Sequence, residues 1–189
     1  MRSSIVIDRL AGNTAIGHTR YSTTGETILR NVQPLFAELD GGGFAVAHNG
    51  NITNGITLRR NLIRSGAIYQ STSDTEVVLH LVAGSKKIKF VDRFIEAITQ
   101  LEGAYSFVGL TNKKMIGVRD PLGIRPLVLG ELDGAYILAS ETCALDIIGA
   151  RFVRDIENGE VVIISETGIE SLKPFGVLPA RPCIFEYIY

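Results

Sequence analysis

The sequence has no tryptophan, only two cysteines, and no apolar run of membrane-spanning length in its 189 residues. Cys143 and Cys183 lie too far apart in the chain to read as a paired motif. Two such thiols make neither a disulfide framework nor a zinc motif, and they fit a reducing, cytoplasmic compartment. The apolar stretch near the start, residues 5–7, is far too short for a signal peptide. Neither sign of charge dominates: 19 Lys and Arg face 20 Asp and Glu. With no basic run either, nothing predicts a nucleic-acid or anionic-membrane partner. His18, His48 and His80 lack metal-ligand spacing. There is no Walker or Rossmann glycine loop, and Ser22 and Ser73 lack the context of a nucleophile elbow.

What is present is the composition of a soluble globular domain, 46% hydrophobic and 21% charged, with chain enough for one sizeable core. Residues 14–18 read as a strand, residues 20–34 as loop, and residues 44–48 as a strand after the Gly41-Gly42-Gly43 turn. Three helices follow. Asn54 is placed to cap the first, whose inward face holds Leu58, Leu62 and Ile63. Ser73-Asp74-Thr75-Glu76 has capping-box spacing ahead of Val77, Val78, Leu81 and Val82. Residues 90–101 carry Phe94, Ile95, Ile98 and Leu101 at helical spacing. Strands are predicted over 104–110, 115–119, 126–129, 135–139, 152–156 and 161–164, with a short helix from about Glu141 that buries Cys143. Pro174, Pro179 and Pro182 predict an extended connector. The domain is therefore taken as residues 1–175 and the connector as 176–189. Helices grouped in the middle and strands grouped later predict stacked layers, not a Rossmann alternation.

Three polar constellations interrupt these elements. In GHTRYSTTG, residues 17–25, Arg20 is placed to hold a carboxylate through a bidentate pair. In AHNGNITN, residues 47–54, the Asn49 amide and the backbone N–H of Gly50 leave an apolar strand together, as in an oxyanion hole. In STSDTEVVLHL, residues 71–81, Asp74 at a helix start could bind a substrate ammonium. Each has a plainer reading when taken alone: a surface Arg in a polar loop, an Asn-Gly turn, a helix cap. Together they compose a site for an α-amino acid with an amide to hydrolyse, without a nucleophile.

These three segments resemble, in order and context, the glutamine-site segments of the class II glutamine amidotransferases. RDPLGIRPL at 119–127, ASETCAL at 139–145 and FEYIY at 185–189 match too, so the resemblance covers nearly the whole chain. Within the class, GHTRYSTTG and FEYIY resemble the amidophosphoribosyltransferase branch more than asparagine synthetase, which shares similar SDTE and RDP segments.

The resemblance implies an α+β fold: a four-layer α-β-β-α sandwich of N-terminal-nucleophile hydrolase type, here lacking its first strands. It implies that Arg20 binds the glutamine α-carboxylate, that Asp74 binds the α-ammonium, and that Asn49 and Gly50 form the oxyanion hole. Tyr21 would couple this site to a second substrate, phosphoribosyl pyrophosphate. The family's nucleophile is a mature N-terminal Cys, and no Cys precedes Cys143 here. The expectation is therefore a fragment that is inactive alone, with an open groove beside Asn49. A nucleophile-free glutamine-binding or regulatory domain is the rival reading. No cofactor is expected in these residues. Magnesium would belong to a phosphoribosyltransferase domain, and Cys183 would be an iron–sulfur ligand if a [4Fe–4S] cluster is held. A homo-oligomer is expected of the full-length enzyme.

Overall fold

Period-two alternation along the strands sorts the apolar side chains onto opposite faces, and that sorting builds the layers. The computed structural model describes residues 12–19 and 28–188. In chain order the strands are β1 (Leu35–Leu39), β2 (Gly42–Ile52), β3 (Gly103–Thr111), β4 (Met115–Arg119), β5 (Val128–Leu132), β6 (Ala135–Ala139), β7 (Arg151–Asp155), β8 (Val161–Ser165) and β9 (Gly168–Leu172). The helices are α1 (Gly55–Arg64), α2 (Glu76–Gly84), α3 (Phe90–Ile98) and α4 (Thr142–Ile148). One sheet runs β1-β2-β3-β4-β8-β9 and the other β6-β5-β7. Every pairing is antiparallel.

In β8, Val161 and Ile163 face a core with Phe107 of β3 and with Val78 of α2 and Phe94 of α3. Val162 and Ile164 point the other way, to Leu129 and Leu138 of the second sheet. In that sheet Val128 and Ile137 turn outward onto Leu145 of α4. The order is thus helices, sheet, sheet, helix, the four layers implied by the resemblance. No helix among the described residues is long and apolar enough to cross a membrane.

Several expectations are corrected. Residues 14–18 form no strand. Neither sheet takes them in, and apolar character without a place in a ladder does not make a strand. The strand placed at 44–48 runs on to Ile52, and β1 and β9 were not foreseen. Ile63 is half exposed, because α1 turns only Leu58 and Leu62 toward the core. Asn54 precedes α1 but does not cap it. Its amide donates to Gln100 O at 2.9 Å and accepts the Glu102 N–H at 3.1 Å, tying α1 to the β3 approach. Cys143 is exposed, not buried. Only Leu145 of the short helix α4 is buried, and Ile147 and Ile148 lie outward with Cys143. Residues 173–183 form neither helix nor strand, and Arg181 N–H anchors the segment on Leu122 O at 2.7 Å.

A buried ion pair ties the two sheets. Glu160, 1% exposed, accepts from both terminal nitrogens of Arg154 on β7, from Ser171 Oγ on β9, and from Glu157 N–H. Burial pushes this carboxyl up, but the Arg154 and Ser171 hydrogen bonds outweigh it and hold it below the ordinary 4.5. Glu160→Gln should lower the unfolding free energy at neutral pH by about 3 kcal/mol, the low end for breaking a buried pair because Arg154 is partly exposed. Because the folded-state value is depressed, this stability is present above pH 4.5 and disappears as pH falls through the folded value. Urea titrations of both proteins across that range should show the difference narrowing in acid. Equal midpoints at neutral pH would exclude this role for the pair.

Candidate active site

The site is organised by the far end of β2, where its neighbour β1 has already stopped. Thr53 N–H donates to Glu102 O at 2.8 Å. In an antiparallel ladder this makes Asn51/Ala104 and Asn49/Ser106 the hydrogen-bonded pairs with β3. His48, Gly50 and Ile52 therefore turn their N–H groups to the other side, past the end of β1 pairing at Val46. Two of the three meet side chains: His48 N–H donates to Gln33 Oε1 at 2.7 Å, and Ile52 N–H to Asp74 Oδ2 at 2.9 Å. The Gly50 N–H is directed to the same edge, between them.

Asn49 and Gly50 thus lie within a paired strand, neither at its end nor in a hairpin turn. Gly50 makes this possible. Its φ is +141°, and a Cβ there would lie 2.0 Å from Ala104 O. No larger residue fits against the β3 backbone at this point.

The Asn49 side chain alternates onto the face between the two sheets. Its Oδ1 accepts from Arg125 Nη2 at 2.8 Å, and its Nδ2 donates to Ser140 Oγ at 3.2 Å. Beside it is a cavity of about 120 Å³ lined by Gly17, His18, Asn49, Leu138 and Ser140, among others. The expected groove would also take in Arg20, which lies outside the described residues.

Arg125 is delivered by a loop that its own motif builds. The fully buried carboxylate of Asp120 accepts three backbone N–H groups, from Leu122, Ile124 and Arg125. Arg119 spreads its guanidinium over three carbonyls, of Gly123, Arg125 and Ile156. Residues 119–127 were quoted above only for a resemblance. Neither Arg125 nor Ser140 was singled out, and the available signal was a second Arg in a segment otherwise made of turn formers.

The Asp74 loop is built the same way. Glu76, nearly buried, does not close a capping box on Ser73. It accepts Gln70 N–H, Ser71 N–H and Ser71 Oγ–H instead. Asn31 clamps Thr72 by donating to its hydroxyl and accepting its N–H. Asp74 sits beside the end of β2, 3.7 Å from His48 Nδ1 and about one-third exposed. Burial pushes its carboxyl up, but the His48 ring and the Ile52 and Thr75 N–H groups outweigh it and hold it below the ordinary 3.8. Asp74 is anionic at neutral pH and partly open to solvent, which suits an ammonium. It does not line the cavity beside Asn49. Arg20 and Tyr21 lie outside the described residues.

Neither cysteine lines the cavity. The Cys143 thiol donates to Glu141 at 3.2 Å, and that carboxylate pushes it up, away from thiolate chemistry. Cys183 is half-buried and unbridged. Among the described residues no three His, Cys, Asp or Glu side chains cluster as a metal site.

The profile of a family described as "Glutamine amidotransferase domain" matches residues 18–146. The amidophosphoribosyltransferase of Rhizobium etli is 61% identical over 98% of this chain, which spans 38% of that protein. The chloroplastic amidophosphoribosyltransferase of Glycine max is 50% identical over 97% of this chain and 32% of its own length. The solved glutamine phosphoribosylpyrophosphate amidotransferase of Bacillus subtilis, complexed with ADP and GMP, superposes with a TM-score of 0.86. It is 40% identical, covering 91% of this chain and 37% of that one. The chain thus spans well under half the length of these relatives. A profile matching most of its residues, and a fold shared at this identity, mean that the chain belongs to the class II glutamine amidotransferase family, with the N-terminal-nucleophile hydrolase fold.

Proposed function

We propose that this chain is the glutaminase unit of an amidophosphoribosyltransferase. The observation that supports the reading most is the stretch of β2 past its pairing with β1, where the Asn49 amide is held by Arg125 and the neighbouring Gly50 N–H is left out of the β3 ladder. Glutamine binds with its α-ammonium on Asp74 and its α-carboxylate on Arg20. A cysteine thiolate other than Cys143 or Cys183 attacks the side-chain amide carbon. As the carbon–sulfur bond forms, the carbonyl electrons move onto oxygen, and Asn49 and Gly50 donate to that oxyanion. The carbon–nitrogen bond then breaks, ammonia leaves with a proton from the general base, and water releases glutamate from the thioester. The ammonia displaces pyrophosphate from phosphoribosyl pyrophosphate on a domain outside these residues, giving phosphoribosylamine for purine synthesis. Tyr21 couples the two sites.

Magnesium belongs to the phosphoribosyl domain in this reading. A [4Fe–4S] cluster takes four thiolates. Cys183 stands apart from any cluster of ligands among the described residues, so these residues do not fit one by themselves. The assembled enzyme is proposed to be a homo-oligomer working in the cytoplasm or, as for the Glycine max relative, in a plastid.

Two outcomes follow for the full-length protein. Asn49→Ala should cut the glutaminase kcat by roughly 100- to 1,000-fold, equivalent to about 2.7–4 kcal/mol. Synthesis from added ammonium salt should continue. An unchanged glutaminase kcat in steady-state assays would remove Asn49 from the oxyanion role.

Asp74→Asn should act on binding. Loss of a charge-assisted contact worth about 1.5–3 kcal/mol raises KM for glutamine roughly 10- to 150-fold. Because Asp74 is held below 3.8, it stays charged through the neutral range, and wild-type KM should show no inflection from it until the pH falls below that value. A KM equal to wild type in the Asn variant, measured at neutral pH, would reject the ammonium assignment.

A further inference from the structure

We infer that Arg125 is a positioning residue for the glutaminase reaction, setting and polarising the Asn49 oxyanion donor. The inference rests on the reading of Asn49 as that donor and assigns a role the resemblance did not give.

The first argument is donor–acceptor logic. The two ends of an asparagine amide have nearly the same shape, so packing alone does not fix which faces the substrate. A guanidinium has five N–H donors and no acceptor. With Arg125 Nη2 at 2.8 Å, only the carbonyl oxygen of Asn49 can face it. A flipped amide would set two donors against each other. Nδ2 is thereby turned to the other side, toward Ser140 Oγ, which lines the same cavity as Asn49.

The second argument is rigidity. Both backbone groups of Arg125 are held by its own motif: its N–H donates to Asp120 Oδ2 at 2.9 Å, and its carbonyl accepts Arg119 Nε at 2.8 Å. Asp120 is fully buried. The guanidinium is thus projected from a loop with little freedom to move, and a preset donor needs no reorganisation when charge develops.

The third argument is electrostatic. A cation on Oδ1 draws electron density from the amide and strengthens its N–H groups as donors. It also places fixed positive charge against the carbonyl end of the amide whose other end is the donor. Both effects grow with the negative charge on the substrate oxygen. They therefore act on the transition state more than on bound glutamine, and predict a loss in kcat with KM little changed.

The test is a double-mutant cycle in the full-length protein, reading glutaminase kcat and KM, with ammonia-dependent synthesis as the check on folding. Arg125→Gln should lower kcat by roughly 10- to 100-fold with KM within about twofold, the scale of a misplaced catalytic group. Arg125→Lys keeps the charge and one donor, and should recover part of the loss. Asn49→Ala alone should cost more than Arg125→Gln, and adding Arg125→Gln to it should cost little further. If Asn49→Ala leaves kcat intact, the oxyanion reading fails. If Asn49→Ala lowers kcat but the two losses multiply, or Arg125→Gln changes only KM, Arg125 does not act through Asn49 and the inference is overturned. If Arg125→Gln does not fold, the same cycle with Arg125→Lys decides between coupled and independent losses.

Discussion

The site depends on β2 outrunning β1. Pairing with β1 ends at Val46, while pairing with β3 continues to Ile52. An antiparallel strand alternates its N–H groups between two neighbours, so each second residue past Val46 must find an acceptor away from the sheet. Gln33 and Asp74 supply two of these acceptors. The Gly50 N–H lies between them. A complete sheet would have consumed it in a ladder bond, and an irregular loop would not have held it to a direction. A half-paired strand does both things that an oxyanion donor requires.

Around this strand end, two loops use the same device. In each, one carboxylate gathers several backbone N–H groups: Asp120 takes three in the loop carrying Arg125, and Glu76 takes two, with a hydroxyl, in the loop carrying Asp74. Buried carboxylates are costly unless hydrogen-bonded. Here that cost enforces order, because a loop that loosens leaves an unmet charge. The side chains that shape the loops are thus not the ones that the loops present. Arg125 and Asp74 are freed for other contacts because Asp120 and Glu76 hold the backbone.

That the elements stack in layers was legible from the grouping of helices in the middle and strands after them, and their order from the resemblance. The continuous apolar run Val161 to Ile164 was read only as a strand, and the structure puts a different core on each of its faces. Asn49, Gly50 and Asp74 were legible as residue types, but their geometry was not. An Asn-Gly pair reads equally as a turn. Only the Ala104 carbonyl, 2.0 Å from where a Cβ would stand, shows that this glycine stands where β2 runs too close to β3 for any side chain. The Asp120 and Arg119 contacts span short stretches of chain for the most part, yet no periodic pattern encodes them. The Arg125–Asn49 bond joins residues 76 positions apart and had no local trace at all.

Helix α4 shows the opposite failure, where a local pattern was read too far. Ala144, Leu145 and Ile147 suggested a buried face that would include Cys143. A seven-residue helix presents barely two turns, so one buried Leu145 satisfies its contact with Val128 and the rest of the pattern is left outside. Apolar composition fixes that something is buried, while the orientation of so short a helix is set by the sheet beneath it. That sheet is the one that carries Ser140, immediately after β6 and two residues before α4, onto the amide of Asn49. The outer helix layer and the Asn49 amide of β2 are therefore joined through the Ser140 hydroxyl, so the position of α4 bears on that amide although none of its own side chains lines the cavity.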